Sequence, residues 1–327
     1  MGVIEESRSA WSSPIVLTPK PEGTDRFCND FRKLNEVSKF DAYPMPRVDE
    51  LIERLGPARF VTTLDLTKGY WQVPLTKEAK EKTAFSTPDG LYHYKVLPFG
   101  VHGAPATFQH MMDQILCPHR EYAATYLDDI IIHSPDWTSH LGHLGTVLGA
   151  LRHAGLTANP KKCHLGLEEA EYLGYTIGRG SVRPQLRKVE AITTWPKPAT
   201  KRQVKTFLGL VGYYQCFIPH LATMPAPLHK MTEIKHPHHV LCSVEAEEAF
   251  TFLQKALCTE PVLNTPDFGD TLVVHADASG TGLGAVLSQA RGGEEHPVTY
   301  CILAVSCKNM KGIIQQWKKN AWRLNGP

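Results

Sequence analysis

The run YLDDIIIHS, residues 126–134, sets two adjacent carboxylates, Asp128 and Asp129, among apolar strand-forming residues. An isolated buried charge is expensive unless it is paired or binds a metal. A further acid, Asp65, closes the strand-like run FVTTLDL, where alternation puts it on the face of Val61 and Thr63. If the two runs are neighbours in one sheet, Asp65 and Asp128 converge. Carboxylates ~4 Å apart repel by roughly 4 kcal/mol at an effective dielectric of about 20. One of them then keeps a proton, unless a divalent cation is present. Mg²⁺ is commonly held by one or two carboxylates and by phosphate oxygens, the chemistry of two-metal phosphoryl transfer. Taken alone, a hairpin with acidic turn residues accounts for YLDD equally well, because Asp is an ordinary turn former.

The elements around these acids follow from pattern. YLDD implies a strand over 123–127, a turn at Asp128-Asp129 and a strand leaving through Ile132. SPIVLTPKPEGTDRFCNDFRKLN reads as a hairpin that turns at 21–23 and carries Lys20, Arg26 and Arg32. Residues 48–55 form a short helical pattern ended by Gly56-Pro57; LYHYKVLPFG reads as a strand and APATFQHMMDQIL as a helix. SHLGHLGTVLGALRHAGL spaces Leu141, Leu144, Leu148 and Leu151 along a helix, with Gly155 as its C-cap. Short strands are expected over 172–177. TKRQVKTFLGLVGYYQCFI sets Val204, Phe207, Leu208 and Val211 on one face and Lys201, Arg202 and Lys205 on another. EIKHPHHVL reads as a linker with solvated histidines, and TLVVHADASGTGLGAVLSQ as strand, turn, strand.

With 327 residues the chain can hold about two domains. Hydrophobic residues at 42% and charged residues at 21% fit an ordinary globular protein. The net charge of +2 points to no partner, but seven basic residues stand against one acid over 183–205. Such a stretch suits phosphate contacts or, equally, a solvated helix face. Eight cysteines without a C-x-x-C pair point to reduced thiols and an intracellular, cytoplasmic or nuclear setting. MGVIEESRSAW has no apolar core for a signal peptide, and Glu6 breaks the myristoylation pattern. No apolar run reaches membrane-spanning length, so no membrane partner is expected.

The ordered series SPIVLTPKPEG, RFCNDFRKLN, TTLDLTKGYWQVPL, KTAFSTPDGLYHYKVLPFGVHGAPATFQHMMD, YLDD, LGYTI, FLGLVGYYQCFIP and LVVHADAS runs over residues 2–300. It resembles the polymerase polyprotein of gypsy-type long-terminal-repeat retrotransposons, relatives of the retroviral reverse transcriptases. The resemblance implies an α+β fold: a right-hand polymerase of fingers, palm and thumb, then an incomplete ribonuclease H-like α/β domain. Fingers and palm would occupy 1–180, basic thumb-like helices 181–235, a connection 236–270, the ribonuclease H-like part 271–305 and a divergent basic tail 306–327.

The implied activity is RNA- and DNA-directed DNA synthesis, with two Mg²⁺ ions (or Mn²⁺), a primed RNA or DNA template and deoxynucleoside triphosphates. Asp65, Asp128 and Asp129 resemble the catalytic metal ligands, Asp65 and Asp128 being the most direct. Tyr70 resembles the steric gate against a ribose 2′-hydroxyl, Arg26 and Lys20 the triphosphate clamp, and Phe99 the residue packing by the nucleotide sugar. Gln109 would lie near the template. Leu173, Gly174 and Tyr175 resemble the primer grip, and Lys201, Arg202 and Lys205 fit thumb contacts to a duplex backbone.

Asp277 in VVHADAS resembles the first metal ligand of ribonuclease H. That site needs one glutamate and two further aspartates, yet after Asp277 only Glu294 and Glu295 are acidic. Ribonuclease H activity is therefore expected to be lost, in a truncated genomic copy. A non-catalytic nucleic-acid-binding remnant is the other reading; an unrelated metal-dependent hydrolase leaves Tyr70, LPFG and LGYTI without a role.

Overall fold

The computed structural model describes residues 2–303 apart from 20–22, 24, 40, 56–57, 219–224, 234–236, 238, 241, 257–262, 265–270, 279–282 and 292–293. The chain divides into two units: residues 1–51 with 58–170, and residues 52–57 with 171–327.

The first unit opens with β1 (Ile4–Glu6), β2 (Ile15–Pro19), β3 (Asp25–Asn29) and α1 (Arg32–Val37), and shares α2 (Val48–Leu55) with the second. It continues through β4 (Phe60–Asp65), α3 (Lys77–Lys82), β5 (Phe85–Thr87), β6 (Gly90–Tyr94) and α4 (Ala104–Leu116). β7 (Ala123–Tyr126), β8 (Asp129–Ser134), α5 (Trp137–His153) and β9 (His164–Leu167) complete it. The expected hairpin is β2 paired antiparallel with β3, from Ile15↔Asn29 to Pro19↔Asp25. β1, β6 and β5 form a small sheet over Phe31, Leu34, Phe85 and Tyr94.

β7, β8, β4 and β9 make an antiparallel sheet in that order. Its centre is the β-branched run Ile130, Ile131 and Ile132, all fully buried, a residue type that suits a pleated, covered surface. Phe108, Met112 and Leu116 of α4 and Val147 and Leu151 of α5 close on Leu64, Leu66, Ile130 and Ile132. Each such side chain contributes about 1.5–3 kcal/mol on full burial.

α5 starts where the Asp136 carboxylate caps the Ser139 N–H at 2.9 Å. It ends at Gly155, with φ +70° and the Leu156 N–H returning to the Leu151 carbonyl, as expected for a glycine after a helix. Its buried face matches the leucine pattern in part, through Leu144 and Leu151. Leu141 and Leu148 are 52% and 41% exposed, while His140 and Val147 are fully buried with Leu151. His140 completes the buried face: its ring bonds to Thr62 Oγ1 at 2.8 Å and Ser134 Oγ at 3.0 Å.

β10 (Glu169–Tyr172), within which the division falls, forms one sheet with β11 (Tyr175–Gly178), β12 (Ser181–Pro184) and a later strand, residues 263–264. α6 (Leu186–Thr193), α7 (Lys201–Tyr213), α8 (Ala226–Met231) and α9 (Val244–Ala256) lie between those last two strands in sequence. α7 begins with a Thr200–Gln203 capping box and buries Val204, Phe207 and Val211, the face expected of it. With residues 263–264 as β13, the chain ends its described part in β14 (Leu272–Ala278), β15 (Leu283–Arg291) and β16 (Glu294–Leu303), an antiparallel sheet. The expected turn before β15 and the tail from 304 lie outside the described residues. Among the described residues no helix is long and apolar enough to cross a membrane.

Candidate active site

The last rung of the β4–β8 ladder pairs Asp65 with Asp129. Directly opposed residues in such a ladder hold their Cβ atoms about 4.5–5.5 Å apart. One step on, the Leu66 N–H donates to the Asp128 carbonyl at 3.1 Å. The convergence expected from the two acidic runs is present, with one shift of register. β7 ends at Tyr126, which pairs with Asp129, so Leu127 and Asp128 form the turn and Asp129 opens the returning strand. Asp65 therefore faces Asp129 across the ladder, and Asp128 stands at the tip.

Burial, then the neighbouring Asp128 and Asp65, push the Asp129 carboxyl up. The countercharge comes from Lys162, whose Nζ lies 3.0 Å from Asp65 Oδ2. That bond, aided by Asp128 and Asp129, raises the ammonium above its ordinary value. Backbone bonds deliver the lysine: Asn159 N–H to the Asp65 carbonyl at 2.8 Å and Thr67 N–H to the Thr157 carbonyl at 3.0 Å. Gln72 fastens the same loop, accepting from the Thr157 N–H at 2.7 Å and donating to the Thr67 carbonyl at 2.9 Å.

Among the described residues no group of three or more His, Cys, Asp or Glu is arranged to hold a metal ion. The three acids adjoin without forming a closed ligand set. Their chemistry nonetheless fits a hard divalent cation: carboxylate oxygens in excess of positive charge, with no thiol or imidazole among them.

After Asp65 the chain passes through Lys68, with φ +51°, into a single 3₁₀ turn, residues 69–72. Gly69 packs closely here: a Cβ on it would stand 3.0 Å from Asp128 Cβ, which would have to give by a few tenths of an ångström. Tyr70 is half-buried, its ring 5.4 Å from Phe108 edge-on and 5.1 Å from Phe99. Burial, then the Asp128 charge, raises its hydroxyl pKa. Phe99 is 52% exposed beside it, and Lys68 Nζ lies 4.5 Å from the Trp71 ring centre.

Residues 18–177 match the family model "Reverse transcriptase (RNA-dependent DNA polymerase)", and residues 243–309 match "RNase H-like domain found in reverse transcriptase". The chain carries a reverse transcriptase domain with an RNase H-like domain after it. It is 40% identical over 309 residues to the retrovirus-related Pol polyprotein from transposon 297 of Drosophila melanogaster, covering 91% of this chain and 28% of that protein. With the Pol polyprotein from transposon gypsy of the same fly it shares 36% identity over 316 residues, 91% of this chain and 30% of the relative. The Tf2-3 polyprotein of Schizosaccharomyces pombe is 31% identical over 333 residues, 98% of this chain and 25% of the relative. The chain thus spans a quarter to a third of these relatives' length.

Among solved structures, a foamy viral protease-reverse transcriptase in complex with dsDNA superposes with a TM-score of 0.85 at 23% identity, over 98% of this chain and 68% of that one. The same enzyme in complex with an RNA/DNA hybrid gives 0.80 at 24% identity, over 93% and 41%. These likenesses show that the chain shares that enzyme's polymerase fold, and the match over residues 243–309 adds the RNase H-like domain after it.

Within the reverse transcriptase domain, Arg26 sits on β3 opposite Thr18, while Lys20 lies outside the described residues. Gln109, expected near the template, is fully buried. Its amide is consumed by the Leu127 N–H at 2.7 Å, Asp113 Oδ1 at 2.8 Å and the Thr125 carbonyl at 3.2 Å. In the second unit Leu173 and Gly174, with φ +46° and +82°, form the turn between β10 and β11. The Tyr213 hydroxyl donates to the Leu173 carbonyl, the Tyr214 hydroxyl to that of Gly174, and the Tyr175 hydroxyl to that of Tyr213. Arg202 and Lys205 are exposed on α7, whereas Lys201 donates to the Glu233 carbonyl. Asp277 lies on β14, opposite Gly284.

Lys162 and Gln72 were not singled out by sequence. For Lys162 the signal is the Asn-Pro turn and twin lysines of ANPKK just past Gly155.

Proposed function

We propose that this chain is an RNA- and DNA-directed DNA polymerase that adds deoxynucleotides to a primer 3′-hydroxyl at Asp65, Asp128 and Asp129. The observation that carries the reading is the Asp65↔Asp129 rung with Asp128 at the adjoining turn. Two Mg²⁺ ions, or Mn²⁺, held by these carboxylates would supply Lewis-acid stabilisation of the charge on the transferring phosphoryl group. Tyr70 and Phe99, in contact beside Asp128, would bound the sugar pocket and exclude a 2′-hydroxyl. Arg26 and Lys20 would hold the triphosphate. The Leu173–Gly174 turn and Tyr175 would grip the primer. Arg202 and Lys205 suit sequence-independent contacts to a duplex backbone, and solved relatives bind dsDNA and an RNA/DNA hybrid.

The RNase H-like part is proposed to be inactive within this chain. Asp277 pairs with Gly284, while Glu295 and Glu294 pair with Ala290 and Arg291. Six strand residues separate the two places, a span of about 20 Å, far beyond a shared ion.

The other reading is a non-catalytic nucleic-acid-binding remnant that keeps the fold and loses turnover. Extension of a labelled primer on RNA and DNA templates with Mg²⁺ separates the two. Wild-type protein is expected to extend on both templates, Asp128→Asn to give no product, and Tyr70→Ala to admit ribonucleotides. Absence of extension by folded wild-type protein overturns the polymerase reading.

A further inference from the structure

The two-residue loop of the β7–β8 hairpin holds a residue of the wrong type for its shape. Leu127 has a left-handed φ of +56° while Asp128 does not share it. Hairpin turns with a positive φ at the first central residue call for glycine there, because a Cβ crowds the following carbonyl. Strain of this kind persists only where the surroundings over-determine it. Here they do: the Leu127 N–H is taken by Gln109 Oε1 at 2.7 Å, and the Leu127 carbonyl accepts from Thr125 Oγ1 at 3.1 Å.

Gln109 is itself fixed in one sense. Its Nε2 donates to Asp113 Oδ1 at 2.8 Å and to the Thr125 carbonyl at 3.2 Å. A flipped amide would aim its NH₂ at an N–H and its oxygen at a carboxylate and a carbonyl. Asp113 is held in turn, its Oδ2 accepting from the Tyr43 hydroxyl at 2.6 Å. Tyr43 stacks on His110 of the same helix at 4.4 Å. Gln109 lies between Phe108 and Met112 on α4, all three fully buried, where leucine would satisfy packing alone. A buried amide is costly unless bonded, and every bond of this one goes to the hairpin or to the group that orients it.

We propose that Gln109 is a positioning residue of the catalytic turn: oriented by Asp113 and Tyr43, it keeps Leu127 in a glycine-like conformation and so sets where Asp128 and Asp129 present their carboxylates. This rests on the polymerase reading of those aspartates. The residue would touch neither template nor nucleotide.

The test is single-nucleotide incorporation by wild type, Gln109→Leu, Gln109→Leu with Leu127→Gly, and the pair Asp113→Asn with Tyr43→Phe, alongside duplex affinity and thermal melting. Gln109→Leu should lower kcat tenfold or more, with nucleotide KM and duplex Kd within twofold. Adding Leu127→Gly should restore at least a third of the lost rate, a rescue that a packing role would not give. A folded Gln109→Leu with kcat within twofold of wild type, or a loss that glycine leaves untouched, overturns the proposal. If Gln109→Leu does not fold, the Asp113/Tyr43 pair decides: a threefold or larger fall in kcat supports it and no change overturns it. If wild type itself adds no nucleotide, the polymerase reading fails separately. Amide exchange then judges the strut, with the Leu127 N–H expected to exchange at least a hundredfold faster in Gln109→Leu and an equal rate overturning it.

Discussion

A methyl group added at Gly69 would stand 3.0 Å from Asp128 Cβ and 3.2 Å from Phe108 Cζ. Phe108 is fully buried in the core beneath, so the aspartate at the open tip is the neighbour that must give. Gly69→Ala is expected to slow incorporation by about tenfold or more, at a stability cost of about 1–3 kcal/mol typical of overpacking. Single-turnover kinetics and urea unfolding measure both, and an unchanged rate would show that Asp128 needs no such exact seat. The sequence offered the meeting of Asp65 with the Asp128-Asp129 turn only on condition that their strands are neighbours, and the β4–β8 pairing meets that condition. Lys162 was not legible in the sequence, since its partner is 97 residues away, and neither was Gln72, 85 residues from the threonine it holds. Gln109 was seen, but its burial depends on how α4 meets the hairpin, which no spacing reports.

At the scale of elements, the bounds of α4 and the β2–β3 hairpin follow their patterns, while α5 follows its own in part. Of its four spaced leucines, Leu144 and Leu151 pack inward and Leu141 and Leu148 stay exposed, and the polar bonds of His140 to Thr62 and Ser134 complete the buried face. A polar side chain in an apolar face carries no periodic signal. Burial, then the nearby His143, depresses the His140 pKa from 6.5. The folded protein thus keeps this ring neutral where the unfolded chain protonates it, so stability falls as pH drops below the unfolded value. Urea unfolding at pH 7.5 and 5.5 should show lower stability at the lower pH, and His140→Gln should flatten that slope. An equal slope in the variant would remove His140 as its source. The β14–β16 sheet yields a second expectation at this scale. An RNA strand annealed to DNA should survive incubation with this chain and Mg²⁺, and cleavage lost in Asp277→Asn would refute the register argument.

For the molecule as a whole, the family was legible in the order of several short motifs along the chain, and the matches over 18–177 and 243–309 follow that order. What no motif could supply is the pairing of residue 65 with residue 129, which arises only when β4 and β8 meet in one sheet. Groups that work as one catalytic unit show strongly non-additive losses when removed together. The most direct measurement is therefore the single-turnover rate of nucleotide addition by Asp65→Asn, Asp128→Asn and the double variant, at matched duplex occupancy. Each single change is expected to cost at least about a thousandfold, with the double variant no slower than the slower single. Losses that multiply, or a single variant that keeps the wild-type rate, would contradict one shared site.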